Sequence, residues 1–392
     1  MIHLFLNGLG ASAGAGLTYL YNVLPQLSSL PAVRTTLAVQ PDLRSECSRF
    51  PNIVLAEASP PSGAARRFWF EQRDLPALIL KSGAEVLISA GNFALRSSPV
   101  PQILLSGNSL YTSRDFYRDL RSRREYRMSA DTRIKGFLAR RSVLWADRTV
   151  APSLAFAHDL RRWTGKEALA IHHGFDRELF FADQSGLPEP IRQKLDAARS
   201  TLKLLFVSHY NYYRNFETLL RAIPQLRQSL PGRNVRLFLT CELRSGANPG
   251  AYDPERAAAL VQQLGIREEV VELGAVPYRM LHHLYRACDI YVTPAYTETF
   301  AHPLVEAMAS GLPIAASDLP VHREVCGDAA RYFPRFSPQD LAETVLAIGT
   351  SSDAANPVIA AKRSAEFSWR DHVQQLLEVA NSLRPREAPP QQ

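Results

Sequence analysis

Short apolar runs rich in Val, Ile and Leu alternate along the chain with longer stretches in which apolar residues recur at helical spacing. The short runs predict buried strands and the longer ones amphipathic helices. In the first half, strands are predicted at 2–6, 35–39, 86–89, 102–105, 148–151 and 169–172, with helical periodicity at 17–27, 70–81, 114–127 and 153–163. A polar, helix-prone connector follows over 182–200, and a second series puts strands at 203–208, 235–240, 270–273, 290–293 and 313–316. Such alternation predicts an α/β protein with parallel sheets. Two series predict two doubly wound domains. Domains of this type bind ligands beyond the carboxyl ends of their strands, so a cleft between the two is the expected site.

Length and composition fit this organisation. The 392 residues exceed what one core usually serves, and 46% hydrophobic residues give material for two. No apolar run is long enough to predict a membrane span, and the start lacks the basic-then-apolar pattern of a signal peptide. Cys47, Cys241, Cys288 and Cys326 are scattered, without the spacing of a metal site, which predicts reduced thiols in a cytoplasmic protein. The tail from Arg384, with three prolines, is predicted to be disordered.

The net charge of +7 points to anionic partners. Between Arg114 and Arg148, eleven Lys or Arg stand against five acids. That density leaves two readings open: a solvated helical face, or a patch for an anionic membrane surface or acidic acceptor. No helix-turn-helix, zinc-finger or RNP pattern accompanies the charge, which argues against a nucleic-acid partner.

Three segments carry candidate chemistry. The first, Tyr296-Thr-Glu298-Thr-Phe300-Ala-His302-Pro303-Leu-Val-Glu306-Ala-Met-Ala-Ser-Gly311, follows a predicted strand and ends on a glycine suited to a helix C-terminus. Pro303 suits a first helical turn. The amides of Thr299, Phe300 and Ala301 would then lie at a helix mouth, where a diphosphate can be held. Glu298 in the loop and Glu306 one turn into the helix can each accept hydrogen bonds from hydroxyls, of a sugar and of a ribose. By themselves, two glutamates near a helix start are no more than helix-compatible side chains.

The second segment runs from Leu204 through Ser208-His209-Tyr-Asn211-Tyr-Tyr-Arg214-Asn215, a strand followed by a polar turn and a helix. Arg214 offers a guanidinium that can hold two phosphate oxygens at once. The third, Asn7-Gly8-Leu9-Gly10 through Gly14 and Gly16, is a glycine-rich turn after the first strand. It lacks the spacing and downstream acid of a dinucleotide fingerprint, which argues against such a cofactor.

Glu298 and Glu306, with seven residues between them and Pro-Leu-Val-Glu-Ala-Met-Ala-Ser-Gly-Leu-Pro alongside, resemble the E-x7-E motif of group 1, family four glycosyltransferases. These have the GT-B fold: two Rossmann-like domains facing across a cleft, with a C-terminal helix crossing back to the first. The resemblance extends to Val150-Ala-Pro152-Ser153, to Ile171-His-His-Gly174-Phe-Asp176, and to Ser317-Asp318-Leu-Pro320. It implies an N-terminal acceptor-side domain over 1–181, a linker over 182–201 and a donor-binding domain over 202–365. A returning helix at 366–384, begun by Phe367-Ser-Trp369, and a disordered tail at 385–392 complete the layout.

The resemblance also implies roles. Glu306 would grip the nucleotide ribose, Glu298 the donor sugar, and the Thr299–Phe300 backbone, with Ala301, the distal phosphate. Ser208-His209 stands in the family's Gly-Arg place and Arg214-Asn215 in its Lys-Gly place, so Arg214 keeps a cation while His209 departs from the pattern. Either His209 works protonated or Arg214 carries most of the charge. Gly14 and Gly16 would lie under donor phosphates or acceptor. Ser106-Gly-Asn108-Ser-Leu-Tyr111 resembles the acceptor-side loop, where Asn108 cannot act as a base. The implied reaction is transfer from a nucleotide sugar with retention of configuration. No Asp-x-Asp motif is evident, so no metal and no other cofactor are expected. A phosphorylase, a sugar-nucleotide epimerase and a non-catalytic nucleotide-sugar-binding scaffold remain as alternatives.

Overall fold

Strand after strand is a short Val/Ile/Leu run buried on both faces, as parallel sheets covered by helices require. The computed structural model describes residues 1–11, 15–230, 232, 234–350 and 357–384. Its strands are β1 (Ile2–Asn7), β2 (Val33–Ala38), β3 (Ile53–Leu55), β4 (Val86–Ala90), β5 (Gln102–Leu105), β6 (Arg148–Ala151), β7 (Leu169–Ala170), β8 (Leu202–Phe206), β9 (Val235–Leu239), β10 (Val270–Glu272), β11 (Ile290–Thr293), β12 (Ile314–Ser317) and β13 (Arg331–Phe333). They form two parallel sheets, in the orders β3-β2-β1-β4-β5-β6-β7 and β10-β9-β8-β11-β12-β13. In each sheet the order reverses beside its first strand, between β1 and β4 and between β8 and β11, the crevice where doubly wound sheets hold ligands.

The chain divides into two units. The first comprises Met1–Thr112, Tyr126–Gly174 and the C-terminal stretch from Ser368; the second comprises Ser113–Glu125 and Phe175–Phe367. The expected layout differs. The first unit gives way at Gly174 rather than 181. The stretch 182–201, read as a linker, falls inside the second unit, which runs to Phe367 rather than 365. The stretch 113–125, read as part of the N-terminal domain, packs within the second unit.

In the first unit, β1, β2 and β4 lie in a core with Leu20, Val23, Leu24 and Leu27. Trp369, Val373, Leu376 and Ala380 of the terminal helix Trp369–Leu383 join the same core. That helix starts where Ser368 Oγ accepts from the Asp371 amide at 3.2 Å. His372 is fixed in one tautomer: its Nδ1–H donates to the His172 carbonyl at 2.8 Å and its Nε2 accepts from the Tyr19 hydroxyl at 2.9 Å. Burial holds its pKa down at about 4, so the ring is neutral.

The helix periodicity at 70–81 resolves into two helices, Ala64–Arg73 and Leu75–Ser82, because a proline opens the second. The stretch at 114–127 is likewise cut: Arg114–Ser122 ends, Arg124 takes a positive φ of 61°, and Tyr126–Trp145 begins a separate helix of 20 residues.

Candidate active site

Two loops of the second unit carry the candidate residues, one leaving β8 and one leaving β11, which are paired neighbours (Ile290 with Leu204, Tyr291 with Leu205). The loop after β8 turns through Tyr212–Arg214 and reaches the helix Phe216–Ser229 through Asn215 at φ 56°, ψ 46°. Left-handed backbone is what glycine supplies at low cost, and asparagine tolerates it best among the rest. Asn215 therefore meets the left-handed backbone this turn requires. Its amide Nδ2 donates to the Pro294 carbonyl at 3.0 Å, and the Tyr296 N–H donates to the Tyr213 carbonyl at 3.0 Å. These bonds stitch the two loops together.

The loop after β11 ends at Ala301, again left-handed (φ 66°, ψ 62°), and the helix His302–Ala309 starts with no side-chain cap on its first turn. Helix entry comes one residue before Pro303, so the Thr299, Phe300 and Ala301 amides precede the first turn as predicted. At the far end, Leu312 N–H donates to Ala307 at 3.0 Å and Gly311 N–H to Met308 at 3.1 Å, with Gly311 at φ 70°. This is a Schellman close.

Arg214 forms an ion pair with Glu298, both largely shielded from solvent. The pair joins the only two loops named above and puts a guanidinium beside the residue that begins the motif. Arg214 Nε is buried with no hydrogen-bond partner, so one strong donor is left unmet. Burial, and then the Arg214 charge, hold the His209 pKa below the ordinary imidazole range.

Glu306 is 4% exposed and accepts the Tyr285 hydroxyl at 2.8 Å. Burial raises its pKa to about 7 against the opposing pull of that hydrogen bond. A deeply placed carboxyl with one hydroxyl already attached has lone pairs left for another.

Beneath the loops lies a polar network absent from the sequence reading. Arg123 donates to Asp119 and to Glu217, each at 2.8 Å, and its guanidinium lies 4.2 Å from the Tyr212 ring centre. Asp119 also accepts the Tyr296 hydroxyl at 2.9 Å, and Glu125 that of Tyr212 at 2.7 Å. The segment Ser113–Glu125 thus braces both loops, through Asp119 to one and through Arg123 and Glu125 to the other. Nearby His322 is fully buried, with Nδ1–H on the Ser317 carbonyl at 2.8 Å and Nε2 without a partner. The pairings Arg123–Glu217, Asp119–Tyr296 and Glu125–Tyr212 left no signal in the sequence, because their members stand 94, 177 and 87 positions apart.

The remaining candidates lie in the first unit. Gly14 is outside the described residues. A Cβ on Gly16 would come within 3.2 Å of the Ala11 backbone, so close packing of the turn already calls for glycine. Asn108 accepts the Leu110 amide at 3.1 Å, capping the short turn Ser109–Tyr111. Tyr111 packs on the helix Tyr126–Trp145 at Gly136, where a Cβ would lie 3.6 Å from the tyrosine side chain. Among the described residues no three His, Cys, Asp or Glu side chains gather as a metal site would need, and no helix is long and apolar enough to cross a membrane.

Two parallel doubly wound sheets, the second with its loops joined at the point where strand order reverses, define the GT-B class of α/β protein. The chain resembles sucrose-phosphate synthase from Thermosynechococcus elongatus, with a TM-score of 0.73 at 18% identity, over 98% of this chain and 99% of that one. It also resembles the Anabaena protein HepE in complex with UDP-glucose, with a TM-score of 0.70 at 16% identity, over 98% and 100% of the two chains. Residues 189–365 match the family model of the glycosyl transferases group 1. Among curated proteins, D-inositol 3-phosphate glycosyltransferase from Corynebacterium aurimucosum is 28% identical over 213 residues, 53% of this chain and 49% of that protein. The chain spans about half the length of the curated relatives it matches first.

Proposed function

We propose that the protein is a glycosyltransferase whose second unit holds a nucleotide-diphosphate sugar and passes the sugar to an acceptor with retention of configuration. The observation that carries this is the Arg214–Glu298 pair, which brings a guanidinium to the loop that opens the motif helix. A diphosphate entering here competes for Arg214 with twice the charge of a carboxylate, and the unmet Nε is a ready donor. Glu298, released from its partner, turns its oxygens to sugar hydroxyls. Glu306, set one turn into the helix, takes the ribose hydroxyls.

Cleavage of the sugar–phosphate bond leaves its electron pair on the diphosphate. Arg214 and the amides of Thr299, Phe300 and Ala301 stabilise that charge as it grows, while the sugar carbon becomes oxocarbenium-like and is attacked from the same face by an acceptor hydroxyl, whose proton passes to the departing phosphate oxygen. The Arg214 cation and these amides do this work in place of a metal. The UDP-glucose bound by the Anabaena protein and the sugar-transferring names of the relatives support a nucleotide-sugar donor.

A thermal-shift panel of UDP-, GDP- and ADP-sugars tests the reading: one donor should raise the melting temperature. Incubation with that donor and chelator should still release nucleotide. No stabilisation by any donor, or loss of turnover on chelation, would overturn the donor or the metal-free claim respectively. Product analysis with added inorganic phosphate separates transfer from phosphorolysis and epimerisation.

A further inference from the structure

The helix Tyr126–Trp145 is inverted in side-chain size. Its buried residues are Thr132, Gly136, Ala139, Ser142 and Val143, while Ile134 and Phe137 are each 64% exposed and Leu144 is 43% exposed. At about 100° per residue, the three large apolar side chains fall on one side together with Arg127, Arg140 and Arg141, all six within about 140° of the circumference. The three arginines are exposed as well. The small residues face the opposite way, against the rest of the first unit.

A solvated face would carry polar residues between its charges. Here apolar side chains stand between arginines, so neither the bland reading of the basic run nor a simple electrostatic patch accounts for it. The helix has five cations and one acid, Asp131, which lies off this face and pairs with Lys135 at 2.7 Å. One cation of the basic run outside this helix serves a different end: Arg123 is buried between Asp119 and Glu217 in the second unit.

We infer that the outward face of this helix docks on an anionic lipid surface, lying in the plane of the interface. Ile134, Phe137 and Leu144 enter the boundary of the acyl region, and the arginines beside them meet lipid phosphates with long stems that reach back to the headgroups. A second copy of the chain fits less well. Face-to-face pairing would bring Arg127, Arg140 and Arg141 against their own counterparts without an acid to offset them. The inference stands independently of the transferase reading, because it rests only on the first unit.

The test is co-sedimentation of the full chain with vesicles of phosphatidylcholine, alone or mixed with phosphatidylglycerol, at low and high salt. Binding is expected on the mixed vesicles and should weaken as salt rises. The pair Arg140→Ala/Arg141→Ala should weaken it roughly 25-fold, at about fivefold per charge. Ile134→Ser/Phe137→Ser should also release the protein at low salt, while the helical circular dichroism of both variants stays that of the parent. Equal binding to both vesicle types, or variants that sediment like the parent, would overturn the inference. So would self-association that the Ile134→Ser/Phe137→Ser change abolishes without any vesicle binding, since the face would then belong to a second copy.

Discussion

Replacing Glu306 with glutamine removes a titrating group from the interior of the second unit, and stability should respond to pH accordingly. Burial raises the folded pKa from 4.5 to about 7, while the unfolded chain returns it to the lower value. Between these values the folded state keeps a proton that the unfolded state has released. The stability tied to that proton is full below 4.5 and lost as pH rises through about 7. At ~1.4 kcal/mol per pH unit the gap corresponds to about 3 kcal/mol, most of it expressed between roughly pH 5 and pH 8.

His322 and His372, both pushed down to about 4 by burial, act with the opposite sign: their contribution is present above 6.5 and lost as pH falls. The parent protein alone should therefore show a flattened profile. The difference between parent and Glu306→Gln isolates the carboxyl. Urea unfolding of both proteins across this range should show the variant gaining on the parent by about 2.5 kcal/mol, roughly 1 M in midpoint, as pH rises. The absolute offset is unimportant, since the new amide next to Tyr285 adds a constant. Parallel profiles would refute the reasoning, for they would mean that Glu306 titrates as an ordinary carboxyl.

Arg214→Ala should lower kcat/KM by about a hundredfold to a thousandfold, and Arg214→Lys should recover only part; steady-state kinetics with the identified donor decide it. Arg123→Met strands Asp119 and Glu217 in the interior and should cost about 3–5 kcal/mol in denaturant unfolding, with Glu217→Gln restoring part of the loss in the double variant. A methyl at Gly174 would overlap the Trp369 backbone nitrogen and lie 2.5 Å from the Ser368 carbonyl carbon. Gly174→Ala should thus loosen the terminal helix, and limited proteolysis should cut near 368 faster than in the parent; an unchanged digest would count against that packing.

Much of this architecture was legible in the order of the residues. Strands such as Gln102–Leu105 and Ile290–Thr293 fall at their predicted positions because their buried residues, such as Ile103-Leu104 and Ile290-Tyr-Val292, form short continuous apolar runs. Ile53–Leu55 and Arg331–Phe333 were missed: each has three residues and lies at a sheet edge, where one neighbour and partial burial leave a weak pattern. The helix Tyr126–Trp145 was missed because its large apolar residues turn away from the core, so the periodic signal that marks a packed face cancels. Glu298, Glu306 and Arg214 could be picked out because strand, loop and helix follow one another within each motif. Tyr285, Asp119 and Arg123 could not, for a hydrogen bond spanning 177 positions, as from Tyr296 to Asp119, leaves no local pattern.

The segment Ser113–Glu125 gives the second unit a non-contiguous blueprint. A gene segment beginning at Phe175 encodes every strand of that unit yet omits Arg123, which neutralises Glu217, and Asp119, which seats Tyr296. Recombination that swapped such a cassette between relatives would deliver a part lacking its keystone. Successful chimaeras must therefore carry both pieces from the same parent, or match the brace and the loops above it residue for residue.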